Sequence, residues 1–393
     1  MSGNDFQTIV VGAGSIGSAT AYWLAERGQT DVLVLEQFEL DHHNGASNDH
    51  SRIIRHSYHN STYGRLTAPA YANWERLRSA SGMQVVTVTG GLDIAVQGTP
   101  GVESVENYRR TLTENGHSFD VLDTAGLVER FPQWSIDQDV TATYQADSGI
   151  VDIRRAVQTH VAMAEAKGVA FKEHTPVRRL ESIDGGVRVH TDDAAYTADK
   201  VVVSTASWSD SLLAPLGATW ATTISQEQVA YLVPRDLPDF TIGRFPLWVW
   251  HGEVMYYGFP VYGETAIKVS RDVTGNFVTH ATRTMEPIVE ETALLTRFVE
   301  QHLPGGFRRE LYSKTCVYDM PPDRDFIIDS LPGHPDIVLG LGAGHAAKFS
   351  GLFGEIVSEL VVDGRSTHPI DAFGATRPAL TDPSYEAHFV LKG

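Results

Sequence analysis

The sequence predicts an α/β protein: a Rossmann-like domain on a parallel sheet, which the chain leaves and re-enters, beside a second domain built on a mixed antiparallel sheet. Three observations predict it. The stretch Gln7 to Gln37 reads as strand, glycine turn, helix, strand and acid. Apolar strands that run into small residues return near residues 200 and 340. Residues 222–272 are dense in aromatic and β-branched residues between turns, as half-buried sheet requires.

Taken in order, Thr8-Ile9-Val10-Val11 is an apolar strand, Gly12-Ala13-Gly14-Ser15-Ile16-Gly17 follows at once, and helical apolar spacing continues to Arg27. A second buried strand ends at Glu36, about twenty residues past the third glycine, which completes a dinucleotide-binding fingerprint. Gly12 permits the tight turn, Gly14 lets the backbone approach a pyrophosphate, and Gly17 lets the helix lie close on the strand. Ser15 and Ile16 open the helix, whose free N–H groups and positive dipole end suit an anion. Glu36 can accept hydrogen bonds from a ribose 2′-OH and would repel a 2′-phosphate, which favours FAD or NAD over NADP.

A polar loop from Glu39 to Asp49 leads into Ser51-Arg52-Ile53-Ile54-Arg55-His56, where arginines at i and i+3 suggest a short helix or turn that presents guanidiniums to an anion. Loops this long in compact domains are usually functional or disordered. His42, His43, His50, His56 and His59 lack the H-x-x-x-H and H-E-x-x-H arrangements, so no metal is expected. Helices are predicted over 66–81 and 103–115, a hairpin over 85–96 around Gly90-Gly91, a short strand over 119–122 and a helical turn over 124–131 before Pro132. Residues 153–167 read as a helix, 170–173 as a strand leading to Thr175-Pro176-Val177, and 187–198 as a hairpin. The strand from Lys200 ends in small residues, as when a parallel sheet lets a ligand approach its carboxyl edge. The domain division that follows is 1–80, 148–215 and 315–393 for the nucleotide domain, with 81–147 and 216–314 for a substrate domain.

The aromatic run Trp248, Trp250, Tyr256, Tyr257, beside Gly258 and Gly263, suggests a pocket wall, and a helix is predicted over 285–302. Near the C-terminus a strand meets Gly342-Ala343-Gly344 and a helix follows, a second site from which a helix start could address the cofactor. Lys348 sits just inside that start, where the dipole least welcomes a cation, which hints at an anionic partner.

The chain of 393 residues carries 31 basic and 49 acidic residues, a formal charge of −18, with 42% hydrophobic and 20% charged residues. No lysine or arginine block is dense enough to follow a phosphate backbone, which argues against nucleic acid. No apolar run reaches the length of a spanning helix, and the first strand begins too near Met1 for a cleaved leader, so a cytoplasmic protein is expected. Cys316 is the only cysteine and cannot form an intrachain disulfide. G-x-S-x-G and G-K-[ST] are absent, which removes the serine-hydrolase and P-loop readings.

Four segments, in order and spaced over nearly the whole chain, resemble the monomeric sarcosine oxidase and N-methyltryptophan oxidase family, flavoenzymes that are D-amino-acid-oxidase-like: Gly12–Gly17, Ser51–His56, Tyr256–Pro260 with Lys268 downstream, and Cys316 followed by Phe326–Asp329 and Gly344–Ser350. The resemblance implies FAD joined through a thioether to Cys316. It implies that Arg55 and Lys348 hold a substrate carboxylate, that Lys268 lies under the flavin N5 where oxygen is reduced, that Ser51 and Arg52 adjoin the flavin, and that Tyr257 lines the pocket. The implied reaction oxidises the C–N bond of a secondary amine, an N-alkyl amino acid such as sarcosine, to an imine, with O2 leaving as hydrogen peroxide; a monomer is expected. Two departures stand out. The family's pocket histidine is Asp272 here, after Arg271, and the aromatic and glycine before the second lysine are Ala347 and Ala346. A larger or more polar substrate follows, a fructosyl amino acid being one, with Asp272 touching it, unless Asp272 only pairs with Arg271 or solvent. From the residues alone, an NAD-dependent dehydrogenase and a non-catalytic flavin-binding protein stay open.

Overall fold

The computed structural model describes residues 4–388. Its first sheet has eight strands, and five of them, Ala170–Lys172, Val32–Leu35, Asp5–Val11, Ala195–Val203 and His334–Leu341, run parallel in that order. Val32–Leu35 is buried at every position, as a strand covered on both faces must be. The helices Ser15–Glu26 and Ser350–Asp363 pack together on one face, so closely that a Cβ on Gly354 would lie 2.4 Å from that of Ala19. The glycine turn behaves as its spacing requires: Gly12 has φ +97°, and a Cβ on Gly17 would meet the Gly12 carbonyl oxygen at 1.9 Å.

The second sheet has nine strands and is mixed, antiparallel except where Leu247–His251 runs parallel to Gly91–Val96. Its longest pair is Thr223–Val233 against the edge strand Arg309–Met320. Period-two alternation divides the faces of this sheet. Ala230, Leu232, Trp248, Trp250, Ile267 and Val269 enter a core with Leu295, Phe298 and Val299 of the helix Val289–His302. The alternate residues turn the other way, toward the first sheet. Among the described residues no helix is long and apolar enough to cross a membrane.

Four expectations change. Arg52–Ile54 is a strand, not a helix or turn, paired with Gly149–Val151. The β-branched pair Ile53-Ile54 explains the choice. Residues 85–96 do not form a hairpin: Val86–Val88 joins that small three-stranded sheet, while Gly91–Val96 enters the nine-stranded one, with Gly90 at φ +71° at the switch. The strand Arg309–Met320 stays in the second sheet throughout, so the expected boundary at 315 falls inside it. Trp248, Trp250 and Tyr256 pack on Phe298 in the core, leaving only Tyr257 of that aromatic run on the cavity side.

Gly17→Ala should be destabilising by about 1–3 kcal/mol, since the new methyl meets backbone that has nowhere to go. The expected result is a lower thermal midpoint; a midpoint equal to wild type would contradict the close packing.

Candidate active site

Two cavities meet where the sheets face each other. The first, about 210 Å³, is elongated and runs along the carboxyl ends of the parallel strands; Gly12, Gly14, Ser15, Ile16, Glu36, Val177, Gly342 and Gly344 line it. Glu36 is 5% exposed, and its carboxylate accepts the N–H groups of Ala13 at 2.8 Å and Phe38 at 3.1 Å, which fixes it at the strand end. The helix Ser15–Glu26 has no acid in its first turn and no cap from Gly14; its Ser15 N–H donates to Ser47 Oγ at 2.9 Å, and the positive end of the helix opens on that cleft. Gly17 lies outside the lining and acts through packing.

The second cavity, about 400 Å³, shares Gly45, Ala46, Arg52, Gly344 and Ala347 with the first. Its lining includes Arg55, Tyr257, Lys268, Asp272, Cys316 and Lys348, drawn from five separate stretches of chain. Strand register explains four of them. Lys268 and Ser270 alternate onto one face of the strand Ile267–Arg271, Asp272 follows one residue past its end, and Tyr257 pairs with Ser270. Cys316 stands across from Glu227 on the long edge pair, so both project from the same face. Ser51 and Arg52 come from the small sheet and the loop before it, and the Arg52 guanidinium pins that loop by donating to Ser51 O, Ala46 O and Asn48 O at 2.7–2.9 Å. Lys348 arrives on the 3-10 turn Ala346–Phe349 that precedes the helix, one step earlier than its sequence position suggested.

These residues fit an FAD. The glycine turn, the helix start and Glu36 line one cleft, that cleft shares five lining residues with the second cavity, and on the wall of the second cavity the buried Asn48 Nδ2 lacks a partner. Among the described residues no group of three His, Cys, Asp or Glu could hold a metal ion.

Charge in the cavity is arranged by carboxylates that the sequence did not single out. Arg55 pairs with buried Asp93, which also accepts from Ser57 at 2.7 Å and lies 3.2 Å from His251 Nε2. Burial opposes the Arg55 charge most, but Asp93, Tyr108 and Tyr58 together outweigh it, so its pKa is raised. Lys268 Nζ donates to Asp49 at 2.6 Å; burial brings this lysine down to about 8 against the pull of Asp49. Asp272 pairs with Arg324, at 3.0 Å and 3.4 Å, and not with Arg271, which is taken by Glu291. Lys348 has no ion pair among the described residues; burial, then Arg55, brings it down to about 7, with Asp272 opposing. Burial pushes the Cys316 thiol and the Tyr257 phenol up, and Arg52 is the main group pulling the thiol back.

The residues that sequence reading missed, Asp49, Asp93 and Arg324, are each a buried partner of a cation or carboxylate that it did name. Asp49 closes the polar loop already marked as functional by its length. Asp93 and Arg324 carry no such signal, since their partners are distant in sequence.

A glycine-lined cleft on a parallel sheet, opening into a cationic cavity under a mixed sheet, defines a flavin-dependent oxidoreductase. The model of the family "FAD dependent oxidoreductase" matches residues 7–360, and the chain belongs to that family. The enzyme class read from the sequence, an FAD-dependent amine oxidase, agrees with that membership. Monomeric sarcosine oxidase from Bacillus sp. (strain B-0618) is 30% identical over 96% of this chain and 97% of its own. N-methyl-L-tryptophan oxidase from Yersinia pestis (strain Pestoides F) is 29% identical over 95% of this chain and 99% of its own. Among solved structures, NikD, an unusual amino acid oxidase essential for nikkomycin biosynthesis, has a TM-score of 0.84 at 25% identity, covering 94% of this chain and 97% of its own.

Lys348 sets a pH dependence. Its charged form is the protonated one, so positive charge is lost as pH rises through about 7. A carboxylate ligand that binds without reacting should therefore weaken by about tenfold per pH unit above that point. Titrating methoxyacetate by the flavin absorbance between pH 6 and 9 measures this, and Lys348→Met should flatten the curve.

Proposed function

We propose that the protein oxidises a secondary amine bearing a carboxylate, an N-alkyl amino acid, to an imine that water hydrolyses, with dioxygen as the final acceptor and FAD joined to Cys316. The observation that carries this reading is the convergence of Arg55, Lys348, Lys268, Tyr257 and Cys316 on a single cavity continuous with the nucleotide cleft. FAD, when bound, supplies the two-electron acceptor and passes the electrons to dioxygen, which leaves as hydrogen peroxide.

In this reading Lys348 and the donors of Arg55 that Asp93 leaves over bind the substrate carboxylate, because a guanidinium has five N–H groups and Asp93 occupies one edge. Anchoring that end orients the substrate C–H, and most of the gain is in positioning. Lys268 holds a fixed positive charge where negative charge develops as dioxygen is reduced. Tyr257, half-buried on the sheet face, closes one wall. The likeness to relatives named for sarcosine and N-methyltryptophan supports an N-methyl amino acid. A monomer is proposed from the first of those names, and the cytoplasm from the lone thiol.

A second reading, a fructosyl amino acid oxidase, is favoured by Asp272. Clamped by Arg324, its carboxylate is an acceptor on the cavity wall, and Ala347 leaves room beside it.

Peroxide release from sarcosine, N-methyl-L-tryptophan and fructosyl-glycine distinguishes the two readings, with turnover expected for at least one. No turnover by flavin-loaded protein with any of them would count against both. For the covalent bond, acid precipitation should leave a yellow pellet, and Cys316→Ser should send the colour to the supernatant.

A further inference from the structure

Asp49 adopts φ +96° although it is not a glycine, and it is 4% exposed. Such strain at a buried charged residue persists only where the surroundings over-determine it, and here the surroundings are cations. Its carboxylate meets Lys268 Nζ at 2.6 Å, Lys314 Nζ at 3.0 Å and Arg52 Nη1 at 3.6 Å, and it accepts from the Tyr231 hydroxyl at 2.5 Å and the His50 N–H at 2.9 Å. Lys268 in turn donates to Ser51 O at 3.0 Å and Ser51 Oγ at 3.1 Å. An ammonium has three donors, and all three are engaged, so its direction is fixed.

We propose that Asp49 is a positioning residue: it keeps the buried Lys268 ammonium charged and aimed into the cavity while dioxygen is reduced. The proposal rests on the reading of Lys268 given above. Around Lys268 the charged and titratable neighbours are Asp49, Arg52 and Lys314, with His50 and the uncharged Cys316 sulfur beyond them, Tyr231 across the strand pair and the Phe259 ring 4.9 Å from the ammonium. Only Asp49 among them favours the charged lysine; burial, Arg52 and Lys314 all oppose it. Removing the carboxylate therefore leaves two cations pressing on a third in a dry site, and the lysine sheds its proton at lower pH. Ser51 alone would then hold a neutral amine.

The test uses flavin-loaded Asp49→Asn and Asp49→Gly, with Lys268→Met beside them. Glycine suits the positive φ, so that variant removes the carboxylate while relieving the backbone strain. Stopped-flow reoxidation of the reduced enzyme by dioxygen is followed from pH 5.5 to 9.5, and reduction by substrate is followed separately. In wild type, reoxidation should slow above about pH 8. In both Asp49 variants the midpoint should fall by at least about one pH unit, making reoxidation at least about fivefold slower at pH 8, while reduction by substrate is slowed less and keeps its wild-type pH midpoint. Asp49→Glu should recover part of the shift. As a readout independent of turnover, the Lys268 Nζ signal of 15N-lysine-labelled protein, assigned with Lys268→Met, should titrate at correspondingly lower pH in the same variants. A wild-type midpoint in Asp49→Asn and Asp49→Gly, with Lys268→Met slow, would overturn the proposal and leave the reading of Lys268 standing. Lys268→Met reoxidising like wild type would overturn both.

Discussion

The site depends on a short run of backbone, residues 45–52, being held between two sheets that share no strand. Nothing in the local sequence makes this run a helix or a strand before Arg52, so its shape must come from side chains. Arg52 supplies it from within, by gathering three carbonyls of the same loop onto its guanidinium. Asp49 supplies it from outside, by reaching the lysine on the facing sheet. The loop lines both cavities, so its position fixes where the nucleotide cleft ends and the chemistry begins. A buried polar network of this kind holds one geometry firmly only when each member is satisfied, and the partners of Arg52, Asp49 and Lys268 meet that condition.

The charge in the site runs against that of the molecule. The chain as a whole carries −18, yet the cavity gathers Arg52, Arg55, Lys268, Lys314, Arg324 and Lys348. Asp49, Asp93 and Asp272 each neutralise a part of that, which leaves positive charge over, concentrated under low-dielectric walls. Lys348 is the cation without a carboxylate partner among the described residues, and its lowered pKa follows from burial among other positive groups. An anionic ligand would relieve that cost. The surplus of positive charge is thus the feature of the cavity on which the proposed carboxylate substrate rests.

Much of this was legible in the sequence, for reasons particular to each part. The nucleotide strand, turn and helix were, because Gly12 and Gly17 are glycines on steric grounds that any such turn imposes. The sheet face carrying Tyr257, Lys268 and Asp272 was partly legible, since residues two and four apart on a strand share a side. The Arg52 strand was misread because a three-residue strand has no periodicity to detect, and its partner Gly149–Val151 lies far along the chain. The hairpin over 85–96 failed likewise: Gly90 marks a turn, but whether the strands beyond it pair with each other is decided by remote neighbours. The partners Asp93 for Arg55 and Arg324 for Asp272 were out of reach for the same reason. A sequence names which charges are present; only the folded chain says which of them are spent on each other.

Asp272 brings these threads to one residue. It stands in register with Lys268 and Ser270, so the strand delivers it to the cavity, and Arg324, 1% exposed, holds its carboxylate in place. It is also the group that most raises the pKa of Lys348 against burial. One side chain therefore acts on both ends of the recognition problem. Toward the substrate, in the reading proposed above, it is a fixed acceptor held by Arg324 that suits hydroxyl or ammonium groups over a purely apolar substituent. Toward Lys348 it sustains the charge that would grip the substrate's acid end. Replacing Asp272 with an apolar residue would then alter selectivity and carboxylate affinity together, and the two effects would part only in a variant that keeps the negative charge while shifting its position.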